Sequence, residues 1–167
     1  MAGVTSRLFR HLFAADARNR FPASAMDRIA SAIADGELLH GGEVCFAVES
    51  TLHWRDVIRG VPANSRARDA FARLRVWDTA ANNGVLVYLL LADQRIEIIA
   101  DRGLQGLVSD EQWRGVCQLL EERLHSGDHA DAVVEAINQV SQLLALHFPP
   151  VAGVAGQDEL PNQPVFL

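Results

Sequence analysis

Apolar positions along this chain fall into two periods. Met26, Ile29, Ala30 and Ile33 recur at three- and four-residue intervals behind Ser24-Ala25-Met26-Asp27, whose spacing is that of a capping box with Asp in place of Glu or Gln. The pattern predicts a helix ending close to Gly36, with Gly41-Gly42 as a flexible link beyond it. Glu43 to Glu49 then carries five apolar residues in a row, which predicts a strand covered on both faces. After Pro62 and Asn64-Ser65, the residues Ala67, Ala70, Phe71 and Leu74 mark one helix. Val85 to Ala92 is a second apolar strand, Asp93-Gln94 a turn, and Arg95 to Ala100 a third strand whose weaker alternation suits a sheet edge. Ser109-Asp110-Glu111-Gln112 is a capping box, with Val108 placed to staple against Trp113. The helix it opens buries Trp113, Val116, Cys117, Leu120 and Leu124. Gly127 stops that helix and Asp128 caps the last one, whose core face is Val133, Ile137, Val140, Leu144 and Phe148 before Pro149-Pro150.

The order is helix, strand, helix, strand, strand, helix, helix, which implies an α/β layered domain with a small mixed sheet. A right-handed crossover makes the first two strands parallel, and the hairpin makes the third antiparallel to the second. Residues 24–149 form this domain, residues 1–23 an N-terminal arm, and residues 150–167 a tail that is either disordered or laid across the surface. Within the arm, Leu8, Phe9, Leu12 and Phe13 can share one side of a short amphipathic helix over residues 6–13. It would dock on the domain or make a peripheral contact with a membrane or a partner.

Composition narrows the function. At 167 residues the chain suits a single core, and 49% hydrophobic residues with a net charge of −6 favour folding over disorder. The acidic balance excludes a nucleic-acid surface. Arg66, Arg68, Arg73 and Arg75, with Asp69 among them, read as the solvated face of a helix. Cys45 and Cys117 each sit in an apolar run, as small buried hydrophobes of a protein from a reducing compartment do. No run approaches the ~20 apolar residues of a membrane span, and Met1 to Ala17 lacks the apolar centre of a secretory signal. The expected location is the cytoplasm, and a protein partner of unknown identity stays open.

Chemistry concentrates between Trp77 and Gly103. If the third strand runs antiparallel to the second, Asp101 ends where Asn82-Asn83-Gly84 begins, with Asp78 on the same loop. Carboxylates and amide oxygens suit hard divalent cations, so Asp78, Asn82, Asn83 and Asp101 are a candidate calcium or magnesium site. The same residues also supply ordinary turn chemistry, and Asp101-Arg102 can be a surface pair. The carboxyl ends of the parallel strands, where open α/β sheets usually bind ligands, point instead to Glu49 and Thr51-Leu52-His53-Trp54 at the opposite edge. With only one parallel pair predicted, the Asp/Asn cluster is the better candidate. No nucleophile elbow, P-loop or dinucleotide fingerprint is present, and no organic cofactor is expected. Gly103-Leu104-Gln105-Gly106 is explained by turn geometry, and the His125/His129 pair is interrupted by Gly127 and Asp128.

Asn82-Asn83-Gly84-Val85-Leu86-Val87-Tyr88-Leu89, then Ile96-Glu97-Ile98-Ile99-Ala100-Asp101-Arg102-Gly103, then Val108-Ser109-Asp110-Glu111-Gln112-Trp113, closely resembles the TPM domain. Gly42-Glu43-Val44 and His147-Phe148-Pro149 match the bacterial branch of that family, which is named for thylakoid-lumen, photosystem-repair and receptor-modulating members. The resemblance covers roughly Ser24 to Pro149. It implies a three-layer α/β/α sandwich, Rossmann-like in its layering, with about three or four strands. Some plant members are described as acid phosphatases, some members bind calcium in an acidic pocket, and many bacterial members have no settled activity. Carried over, the Asn-Gly loop falls on Asn82, Asn83 and Gly84, and the residue closing the hairpin on Asp101. The chain departs from many relatives in showing no signal peptide, membrane anchor or glycine-rich tail. Two functions follow as expectations. The first is a cytoplasmic TPM-type binding or accessory module, with a cation at the Asp/Asn cluster. The second is a divalent-metal-assisted acid phosphatase, which lacks an evident nucleophile or general acid beside that cluster.

Overall fold

The computed structural model describes residues 2–150 and 159–167. The arm forms α1 (Ala2–Phe13) and the short α2 (Ala17–Arg20), followed by α3 (Ala23–Glu37) and β1 (Glu43–Glu49). The crossover holds α4 (Trp54–Ile58) and α5 (Ala63–Arg73), and the hairpin is β2 (Gly84–Leu90) with β3 (Arg95–Ala100). A single 3₁₀ turn at Arg102–Leu104 leads to α6 (Asp110–His125), α7 (His129–His147) and β4 (Val165–Phe166). The strand order is β3-β2-β1-β4, with β1 parallel to β2 and to β4, and β2 antiparallel to β3.

Both central strands are buried along their whole length, and their alternation serves two helical layers. Val44, Phe46, Val48, Val85, Val87 and Leu89 pack under α3, α6 and α7. Cys45, Ala47, Leu86, Tyr88 and Leu90 pack on the other face with α4, α5 and Leu8 of α1. The result is an α/β/α sandwich, in which each fully buried side chain of the size of Phe46 or Leu89 contributes about 2–3 kcal/mol of hydrophobic stabilisation. β3 is less deeply buried, as an edge strand is.

Local signals were used unevenly. The capping box at Ser109 is complete, with Gln112 returning the bond, and Asp128 accepts from the Asp131 N–H after Gly127 turns at φ 94°. At α3 the Ser24 signal is bypassed: the N-cap is Pro22 rather than Ser24, two residues earlier, and it makes no side-chain cap bond. Pro22 sets the extended entry, and the Ala25 and Met26 N–H groups bond to its carbonyl. The crossover holds a second helix, α4, capped by His53. The tail is the larger surprise. Its Val165–Phe166 pairs with Ala47 and Val48, and Phe166 lies under the Arg18 guanidinium at 4.6 Å. Tail residues 151–158 lie outside the described residues.

Gly36 is the next-to-last residue of α3, inside the helix and before its C-cap at Leu38. It is there because α3 crosses α7 closely: a Cβ at position 36 would lie 2.2 Å from Ser141 Oγ and 3.0 Å from Ser141 Cβ. Rotating the serine hydroxyl removes only the first of these contacts. Gly36→Ala is therefore expected to destabilise the fold by about 1–3 kcal/mol in urea unfolding despite its better helix propensity. Gly36→Ala with Ser141→Gly should recover most of that loss, whereas a neutral or stabilising single variant would show that the two helices can part freely.

Candidate functional site

The antiparallel register sets Ala100 opposite Val85, so Asp101 arrives beside Gly84. The Asp101 N–H donates to the Gly84 carbonyl at 2.9 Å, and the Gly103 N–H donates to the Asn82 carbonyl at 2.8 Å. The two ends of the Trp77–Gly103 segment thus meet at one edge of the sheet. Two glycines make the approach feasible: a Cβ on Gly84 would lie 2.0 Å from the Val76 carbonyl, and one on Gly103 would lie 2.4 Å from the Asn82 carbonyl. Asn82 takes a left-handed backbone at φ 52°, a conformation its residue type tolerates.

The four candidate side chains have different surroundings. Asp101 uses Oδ1 to accept the Arg102 N–H at 2.7 Å, while its Oδ2 is buried without a hydrogen-bond partner. The Asn82 side-chain oxygen accepts from Arg102 Nε at 2.8 Å, so Asn82 and Asp101 are joined through Arg102. Asn83 is buried, accepts nothing from Arg102, and donates its side-chain N–H to the Gly41 carbonyl at 2.6 Å. Asp78 is half-exposed and held by Arg75 at 2.5 Å. The edge therefore gathers Asn82 and Asp101, while Asn83 is tied under β1 and Asp78 to its own helix end.

Asp101 and Arg102 also line a cleft of about 570 Å³ together with Asn64, Arg68, Asp110 and Trp113. Asp110 was visible in the sequence only as a capping-box residue, and Arg68 only as part of a basic helical face. Glu159 had no signal at all, because it sits in the tail: its carboxylate accepts the Ala80 N–H at 3.0 Å, and the next residue, Leu160, donates its N–H to Glu43 at 3.2 Å. The C-terminal segment thus lies against the Asp/Asn loop.

At the opposite edge Glu49 and Asp93 are both engaged by arginines. Glu49 accepts from Arg66 Nη2 at 2.7 Å and from the Tyr88 hydroxyl at 2.5 Å. Arg66 therefore departs from the solvated face expected of it, because a buried Glu49 needs a cation within reach. Asp93 receives Arg7 Nε at 2.9 Å and Arg10 Nη2 at 3.2 Å. Burial pushes the Asp93 carboxyl up, but these guanidinium bonds prevail and hold it below the usual carboxylate range. His11 accepts the Leu52 N–H on Nδ1 at 3.0 Å, and its Nε2 lies 3.2 Å from Asp93 without hydrogen-bond geometry. The Nδ1 atoms of His125 and His129 contact backbone carbonyls, those of Glu121 and Gly127. Among the described residues no group of three or more His, Cys, Asp or Glu is arranged around a metal position. Burial pushes both Cys45 and Cys117 thiols up to about 11, which leaves them protonated and inert.

A family model for the TPM domain matches residues 15–143. The chain belongs to the TPM domain family. Its structure is similar to the NMR structure of BA42 protein from the psychrophilic bacterium Bizionia argentinensis, with 28% sequence identity and a TM-score of 0.76 over 88% of this chain and 95% of that one. No curated protein matches. The TPM match begins at Ala15, so α1 lies before it, and it ends at Leu143, so β4 lies beyond it.

The opposite edge of this TPM domain should govern its acid stability. Burial holds the His11 imidazole below its ordinary 6.5, outweighing the attraction of Asp93. The unfolded chain thus binds a proton at His11 that the folded chain resists, so stability falls as pH drops below about 6.5 toward the lowered folded value. Asp93 adds to the loss at lower pH, when its carboxylate protonates. The melting temperature should be lower at pH 5 than at pH 7.5. His11→Asn, whose side-chain oxygen can still accept the Leu52 N–H, should flatten that slope.

Proposed function

We propose that the chain is a TPM-type binding or accessory module that makes no covalent change and holds a divalent cation at the Asp101 edge. The carrying observation is the Asp101 Oδ2 atom, a buried carboxylate oxygen without a partner. Leaving such an atom unpaired costs about 1–3 kcal/mol or more, and calcium and magnesium take oxygen ligands of this kind. The contrast with the other edge supports the choice, since Glu49 and Asp93 are already saturated by arginines. Asp101 would be the anchoring ligand. Asn82 would join it by releasing Arg102 and Asp78 by giving up Arg75, while Asn83 is an outer member whose side-chain N–H is held by the Gly41 carbonyl. The two cysteines, Cys45 and Cys117, are both free, which supports work in a reducing compartment such as the cytoplasm.

A metal-assisted phosphatase is the second reading, favoured by Arg68 and Arg102 on the wall of the same cleft, where a phosphate ester could be clamped. A bound cation would supply polarisation of a phosphoryl oxygen. No Ser, Thr, Cys or His is among the residues lining that cleft, so attack or proton transfer would fall to Asp101 or Asp110. That is a poor set for covalent chemistry, and binding is the better conclusion.

Thermal unfolding in calcium, in magnesium and in chelator tests this. A cation at about a hundred times its Kd should raise the melting temperature by several degrees, from roughly 2.7 kcal/mol of linkage. Asp101→Asn should abolish the rise and Asp78→Asn should only reduce it. An unchanged melting temperature at millimolar cation would sink the site. General phosphate esters should not be hydrolysed; cation-dependent turnover that Asp101→Asn removes would move the conclusion to the phosphatase.

A further inference from the structure

Helix α1 of the N-terminal arm uses one side to dock on the domain and leaves an apolar side bare. Leu8 packs into the core, His11 is buried, and Arg7 bonds to Asp93 and to the Val61 carbonyl at 2.8 Å. On the other face Phe9, Leu12 and Phe13 are 63%, 65% and 72% exposed, and the Phe9 and Phe13 rings lie 4.4 Å apart. Rings of this size so far out of the core are costly in water and mark a contact surface.

Charge says what the surface fits. The first twenty residues carry Arg7, Arg10, Arg18 and Arg20 against the single acid Asp16, in a chain of net charge −6. A cleft of about 620 Å³ opens between α1 and the turn that follows β2, and is lined by Phe9, Phe13, Arg10, Arg20, His125 and His129. Its one carboxylate, Asp93, is already taken by Arg7 and Arg10. Among the described residues no carboxylate pairs with Arg20. One carboxylate shared by two arginines leaves a positive charge over at the half-exposed Arg10, and Arg20 of α2 adds a second beside the same rings. Apolar rings bordered by such a charge surplus match the interface of an anionic bilayer, where rings sit among the acyl carbons and arginines meet headgroup phosphates. A second copy fits less well, because a two-fold contact through this face would bring Arg10 and Arg20 toward their own counterparts.

We propose that α1 is a peripheral membrane-docking helix, which inserts Phe9, Leu12 and Phe13 into an anionic phospholipid surface while its Arg10 and the neighbouring Arg20 of α2 face the phosphates. The helix lies in the interface plane, since among the described residues no helix is long and apolar enough to cross. The contact is separate from the Asp101 edge and does not depend on a cation there.

Co-sedimentation of the full chain with vesicles decides it. Phosphatidylcholine vesicles containing about 30% phosphatidylserine should retain the protein at least ten-fold better than pure phosphatidylcholine, and about 0.5 M salt should release it. Phe9→Ser with Phe13→Ser should lower binding to the mixed vesicles at least ten-fold. Arg20→Gln should lower it several-fold, both variants keeping the parent's circular dichroism spectrum because the changed side chains are outside the core. Wild-type protein left in the supernatant with mixed vesicles would overturn the proposal. So would full binding by the double Phe variant, or a concentration-dependent dimer that the same variant abolishes while vesicle binding is absent.

Discussion

The fixed pairing of β2 between β1 and β3 is the constraint on which the rest of the molecule depends. β2 is buried on both faces and hydrogen-bonded on both sides, so a shift of one residue would turn Leu86, Tyr88 and Leu90 into the wrong layer. That register places Asp101 beside Gly84 at one end and the Asp93 turn beside Ser50 and Leu52 at the other. The two polar edges of the sheet are therefore outcomes of packing in its middle. Gly84 and Gly103 let the backbone close at one edge, and three arginines from two helices, α1 and α5, close the charges at the other.

Much of this was legible because the signals were strong and local. The unbroken apolar runs at Val44–Val48 and Val85–Ala92 read as strands covered on both faces, and the element order around them pointed to a layered α/β domain with a small mixed sheet. The three-layer sandwich itself came from the family resemblance. The meeting of Asp101 with the Asn82 loop followed from strand direction alone. What could not be read was the pairing of individual side chains across long separations. Arg66 looked like one of several helical surface arginines until Glu49 and Tyr88 were found facing it. Asn83 and Asn82 are adjacent and alike in the sequence, yet one is tied to Gly41 and the other to Arg102. The strand at Val165–Phe166 is too short for any periodic signal, and its partner lies more than a hundred residues away.

The two edges also differ in kind. Around Glu49 and Asp93 the charges neutralise one another and lock the arm to the domain, an arrangement that rewards rigidity. Around Asp101 one oxygen is left over, and the cleft beside it mixes carboxylates with guanidinium groups. Membership of the TPM family accounts for the scaffold over residues 15–143, with α1 before that region and β4 after it.

The C-terminal strand has a mechanical meaning as well. Without β4, the outer side of β1 would present a row of unpaired backbone groups, a ready template for another chain. The same short segment reaches Glu43 through Leu160 and the Asp/Asn loop through Glu159. Edge protection and loop position are thus fastened by one strap. Any partner or truncation that lifted the strap would uncover the sheet and loosen the loop together, so the last nine residues act as a latch.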